Sequence, residues 1–231
     1  MLDIKTKKLN IHWTALSPLI SSGLSVQVRS IAIELAFLAV TRATQISDPK
    51  GINAAAHSIS LQLWQLGGIV LFAMSTVSSI LIPLEISQNE RDLSSAKLTA
   101  NRLLLWGIVL GVALGIVQLL AIPLVGAFSK LSSVREASKT PAIIGAFLQL
   151  INGVVFIGEG IQQGNQAFGS LALTTLTATL AQLVFLAIMG HTLGGIWGSL
   201  VVFYLVRLCG CLFHHFFRGP FSKMNSQKKR I

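Results

Sequence analysis

Three ionisable residues, Arg29, Glu34 and Glu159, stand inside long apolar stretches of this sequence, and they open the search for chemistry. Gly23, Gln27, Ser30, Glu34 and Thr41 recur at helical spacing and share one face. Gln149, Asn152, Phe156, Glu159 and Gln163 form a second stripe, at steps of three and four. A carboxyl in hydrocarbon costs about 3 kcal/mol even on lenient insertion scales, and by default it marks function. Low dielectric favours its protonated form, which suits a group that takes up and releases a proton. Glu34 and Glu159 are therefore candidate cation- or substrate-binding residues facing a cavity. Gln27, Arg29, Gln149, Asn152 and Gln163 join them as candidates. The amides Gln149, Asn152 and Gln163 have an equal alternative, interhelical hydrogen bonds worth roughly 0.6–2 kcal/mol each. Arg29 lies more than about 100° around the helix from Glu34, so it need not pair within that span and can neutralise either carboxyl.

Other residue types carry less. No nucleotide loop, metal-ligand spacing or catalytic triad is present, so an enzyme reading has no support and no cofactor is expected. Cys209 and Cys211 are two apart, on nearly opposite faces of a helix, which argues against a disulfide between them. His57 reads as a structural, partly hydrated residue near the outer end of its span, and His214 and His215 as residues of the inner membrane edge. Gly67-Gly68 and Ser78-Ser79 suit close helix packing, and Trp64, Trp106, Trp197 and Tyr204 suit interface or core packing. The opening MLDIKTKKLN is not followed by the short apolar core and cleavage site of a signal peptide.

The elements that position these residues follow from composition. Of 231 residues 52% are hydrophobic and 11% charged, with a mean hydropathy of +0.71. A water-soluble domain carries roughly 25% charged residues. Apolar blocks of this length cannot be hidden inside so small a globule, so hydrocarbon must solvate much of the surface. The blocks cover about 18–44, 52–86, 98–128, 141–164, 168–189 and 193–217, each long enough for a span of about 20 residues. They are continuous rather than alternating, which argues against strands. The expected fold is an all-α integral membrane protein of about six helices, with a cytoplasmic segment at 1–17, the six-helix lobe at 18–217 and a basic cytoplasmic tail at 218–231.

The net charge of +10 would suggest nucleic acid in a soluble protein, but here the basic residues flank apolar blocks as topology signals. Six spans leave both termini on one side. Twelve basic residues (Lys5, Lys7, Lys8, Arg91, Lys97, Arg102, Arg207, Arg218, Lys223, Lys228, Lys229 and Arg230) fall on that side. Five (Arg42, Lys50, Lys130, Arg135 and Lys139) fall opposite. Both termini are then cytoplasmic and the loop 129–140 external. The membrane concerned is not specified by the sequence.

Three segments carry a family resemblance. NAAAHSISLQLWQLG (53–67) resembles the A-A-H-Q-I…L-W stretch that opens the eighth helix of MATE (multidrug and toxic compound extrusion) transporters. VRSIAIELAF (28–37) is similar to their seventh helix, especially in the DinF-like branch, and NGVVFIGEGIQQGNQAFGSLA (152–172) resembles their tenth-helix pattern. The resemblance extends over about 18–217. It implies the second of two six-helix lobes around a central cavity, and exchange of a proton or sodium ion for an organic solute by rocking between inward- and outward-open states. Glu159 stands where the family usually has Asp, and Glu34 falls on the helix where some members carry a cation-binding carboxylate. Gln163-Gly164-Asn165-Gln166 departs from the family's small-residue run. The lobe that holds the coupling aspartate in DinF-like members is not in this sequence.

The expected function is secondary, proton- or sodium-coupled efflux of organic solutes or xenobiotics, by a C-terminal half or fragment. Its expected partners are a small organic solute, membrane lipid, and either the missing N-terminal lobe or a second copy of the chain, with no nucleic acid. Alone, such a lobe should self-associate or be poorly stable, and should not transport. The alternatives are a lipid-linked oligosaccharide flippase of the same superfamily, which a strongly basic cavity would favour, and a non-transporting membrane scaffold or remnant.

Overall fold

The computed structural model describes residues 13–88 and 93–222, and every regular element among them is helical. In order these are α1 (Trp13–Ser47), α2 (Ile52–Gln88), α3 (Ser94–Ala121), α4 (Ser132–Gly164), α5 (Phe168–Met189) and α6 (Leu193–Phe213). α3 continues through a 3-10 turn at Ile122–Leu124 and a helical turn at Val125–Phe128, and α6 ends in a π turn at His214–Arg218. All six are long and apolar enough to cross a membrane. A helix satisfies its own backbone hydrogen bonds, which hydrocarbon demands. The chain is a multi-pass integral membrane protein. The basic residues Lys5, Lys7, Lys8, Arg91, Lys223, Lys228, Lys229 and Arg230 lie outside the described residues.

The stretch 129–140 is not the loop expected of it. α4 starts at Ser132, and only 129–131 connect it to the preceding turn. Its polar first turns hold because Val134 and Ser138 are buried one turn apart, while Glu136 and Lys139 pair across a turn at 2.6 Å. Pro141 lies inside the helix rather than at its start. A proline there removes one backbone bond of a helix that tertiary packing holds together.

α4 is the axis of the bundle. Of its most apolar stretch 61% is buried, against 17–44% for the other spans. It packs along α2 and α3, with α6 beside it, while α1 lies against α5 and α5 against α6. The approach of α3 is set by Gly107, Gly111 and Gly115, one turn apart. A Cβ on Gly107 would stand 2.3 Å from the Gly153 carbonyl oxygen, and one on Gly153 would stand 2.1 Å from that of Gly107. The two backbones therefore touch, as membrane helices do through small residues. Gly67 packs similarly against Gln149, whereas Gly68 faces open space.

Two connections show how spans are joined. In the turn after α1, the Asp48 carboxylate accepts the backbone N–H groups of Lys50 (2.9 Å), Ile52 (2.8 Å) and Asn53 (3.3 Å), capping α2. The bond from Lys50, chiefly, holds the Asp48 pKa below its ordinary 3.8. After α4, the Ala167 N–H bonds the Gln162 carbonyl and the Gln166 N–H that of Gln163. This is a Schellman ending, with Gln166 at φ 57° where glycine is usual.

Several placements differ from expectation. His57 is buried rather than partly hydrated, its ring edge-on to Trp197 at 5.8 Å between centroids. His214 and His215, near the end of the last span, are also buried; His215 bonds Asn101 Oδ1 at 2.9 Å. Trp64, Trp197 and Tyr204 belong to the core, whereas Trp106 is 59% exposed. Cys209 and Cys211 are both free thiols.

Candidate functional site

Glu159 of α4 meets two arginines from other helices. Arg207 of α6 donates to both its oxygens, Nε to Oε1 and Nη2 to Oε2, each at 2.8 Å. Arg29 of α1 donates through Nη2 to Oε2 at 2.5 Å. Glu159 and Arg207 side chains are 4% and 3% exposed, and that of Arg29 21%. The fork-to-fork geometry of Arg207 gives a strong, directional pair, which a buried carboxylate requires. Its guanidinium carbon also sits 4.9 Å from the ring centroids of both Phe203 and Tyr204, a favourable cation–π position. Two guanidiniums against one carboxylate leave a net charge of +1 on the cluster.

The cluster borders a groove of about 500 Å³ between α1 and α2, with α4 and α6 at its floor. Arg29 and Arg207 line it, with aromatic walls from Phe37, Trp64, Phe156 and Tyr204 among others. These rings pack on one another: Phe37 lies 6.0 Å from Trp64, and Trp64 5.7 Å from Tyr204. The first pair is tilted and the second edge-on, and such packing fixes the wall. Both arginines are more than ten residues from either end of their spans, Leu16–Ser47 and Leu193–Arg218, so at 1.5 Å per residue they lie roughly 15 Å or more from the helix ends.

The other candidates are dispersed. Glu34 and Gln27 are exposed on α1, and Glu34 lies about 140° around the helix from Arg29. Gln149 is buried on the α2–α3 side, donating to the Trp64 carbonyl at 2.7 Å and to Gln118 Oε1 at 3.2 Å. Gln118 in turn donates to the Ala142 carbonyl. Asn152 is fully buried, with neither side-chain atom hydrogen-bonded among the described residues. Gln163 is half-buried at the end of α4. The structure thus joins Arg29 to Glu159 and leaves the rest apart.

Arg207 is the member of this candidate site that the positive-inside count misplaced. It does not flank a span; it is buried within one. The signal was its position, fourteen residues into the last apolar block and three to four residues, one helical turn, after the aromatic pair Phe203-Tyr204.

No protein-family model matches the chain. Over 214 residues it is 26% identical to Protein DETOXIFICATION 44, chloroplastic, of Arabidopsis thaliana, covering 87% of this chain and 40% of that protein. The chain is thus similar to a DETOXIFICATION protein over most of its own length. A solved MOP superfamily transporter from Pyrococcus furiosus shares the fold, with a TM-score of 0.73 at 21% identity over 87% of this chain and 44% of its own. That transporter is described by the reversed polarity of its binding pocket, which suggests a different function for it. These relatives are transporter-family proteins rather than enzymes. The chain spans less than half the length of either.

Proposed function

We propose that the chain forms one lobe, of the C-terminal kind, of a secondary antiporter that exchanges a proton or sodium ion for an organic solute. The groove carries this reading: it opens between α1 and α2 and reaches a buried charge cluster deep within the spans. A second six-helix lobe, from further polypeptide or from a second copy, would close the groove into a central cavity and rock against this one. Gln27, Ser30 and Glu34, exposed on α1, would then meet that cavity or lobe instead of lipid.

Coupling falls to Glu34 in this scheme, because Glu159 already holds two arginines while Glu34 has no ion pair among the described residues. Both termini are cytoplasmic, since the count without Arg207 is still eleven against five. A cysteine placed at Ser129 should be labelled in sealed cells without permeabilisation; labelling only after permeabilisation overturns this orientation. The reading as a whole is tested in proteoliposomes. The two-lobe assembly should accumulate solute against a proton or sodium gradient, and this chain by itself should not. A stable monomer of the chain with robust coupled flux would refute it. A lipid-linked oligosaccharide flippase is the second reading, favoured by the groove's two arginines.

A further inference from the structure

Among the described residues, the groove's charged lining consists of two arginines and no acidic side chain. Glu159, the carboxylate bonded to both, sits behind them and already accepts three hydrogen bonds. The cluster therefore presents a single uncompensated positive charge to the groove. Arg29 is its more exposed member, and the Arg29 Nε–H is buried with no acceptor among the described residues. A buried donor without a partner is unfavourable by about 1–3 kcal/mol until an acceptor arrives. The walls around it are flat rings (Phe37, Trp64, Phe156, Tyr204), so the groove offers apolar faces beside a cationic floor.

We propose that this groove binds a soluble organic anion, a carboxylate or sulfonate on a flat apolar body, with the acid group at Arg29 and Arg207 and the body between the aromatic walls. The proposal rests on the transporter reading and names its class of solute. A cationic solute would meet the same charge as repulsion, in a site where low dielectric strengthens both effects.

Fluorescein and rhodamine 6G supply related ring systems of opposite charge. Their binding is measured on the assembled protein in nanodiscs of zwitterionic lipid, by fluorescence polarisation. The expected result is fluorescein binding that weakens with added salt, and at least tenfold weaker rhodamine binding. Arg29→Gln should weaken fluorescein about tenfold, the loss expected of one charge-assisted hydrogen bond, and Arg29→Lys should restore most of it. Because Arg29 also serves the cluster's structure, a second variant is needed. Gly68 lines the groove, and a Cβ there would meet nothing within 4 Å. Gly68→Asp should therefore fold normally, lower fluorescein affinity about tenfold and raise that of rhodamine.

Preference for rhodamine, or fluorescein binding indifferent to both Arg29→Gln and Gly68→Asp, overturns the proposal. Absence of binding by either dye overturns it too. Displacement of fluorescein by polyprenyl phosphate at lower concentration than by free fluorescein would overturn the soluble-anion assignment in favour of a lipid phosphate. These outcomes concern only the groove's charge preference; the transporter reading fails separately, on gradient-driven flux.

Discussion

Replacing Glu159 with glutamine removes the carboxylate shared by two guanidiniums and raises the charge of the buried cluster from +1 to +2. The amide keeps one acceptor oxygen, but its NH2 group would face an arginine donor, so the two-pronged bond from Arg207 is broken. With Glu159 and Arg207 side chains 4% and 3% exposed, water cannot replace the lost partner. Breaking a buried pair by removing one member costs about 3–5 kcal/mol. For a chain of this length that is a fall in Tm of about 10 °C. Arg29→Gln should be much milder, about 1 kcal/mol, because Glu159 keeps both bonds from Arg207 and the cluster becomes neutral. The double variant should be no less stable than Glu159→Gln alone, since relieving the excess charge offsets the second lost bond. Thermal melts of the purified protein in one detergent, by tryptophan fluorescence, measure all three. Equal losses in the two single variants, or an unshifted melt for Glu159→Gln, would refute the asymmetry argued from this geometry.

Three further outcomes follow from local structure. Gly107→Val should destabilise by about 3 kcal/mol, because its Cβ would stand 2.3 Å from the Gly153 backbone oxygen; Gly23→Val, in open space, should be silent in the same melts. Gln166→Gly should stabilise by about 1 kcal/mol, by relieving a left-handed backbone at φ 57°, again read from Tm. Asp48→Ala should lower Tm at neutral pH by uncapping α2. Because the folded Asp48 pKa lies below the ordinary 3.8, its contribution is complete above that value and lost as pH falls through the folded one. The wild-type and variant melts should therefore converge in strong acid.

The spans were legible because hydrocarbon imposes a long, continuous apolar run on each helix. Their ends were less so: the polar start of α4 resembles a loop, and only burial of Val134 and Ser138 and the Glu136–Lys139 pair show it to be helix. Glu159 could be singled out from its stripe, but its partners could not, since Arg29 and Arg207 lie on helices whose rotations a linear pattern does not fix. Arg207 was hidden further by proximity to the basic tail, where it resembled one more topology charge. The Gly107, Gly111 and Gly115 ladder was present at strict four-residue spacing, yet glycine in a membrane helix does not reveal which neighbour approaches it.

Gradient-driven exchange by the two-lobe assembly tests the central claim most directly. In proteoliposomes with an imposed proton or sodium gradient, solute should accumulate in the wild type, and Glu34→Gln should keep solute binding but lose the dependence on the gradient. Accumulation equally dependent on the gradient in Glu34→Gln would remove Glu34 from the coupling. Solute movement indifferent to every imposed gradient in the wild type would contradict the account of this chain as a lobe of a secondary antiporter.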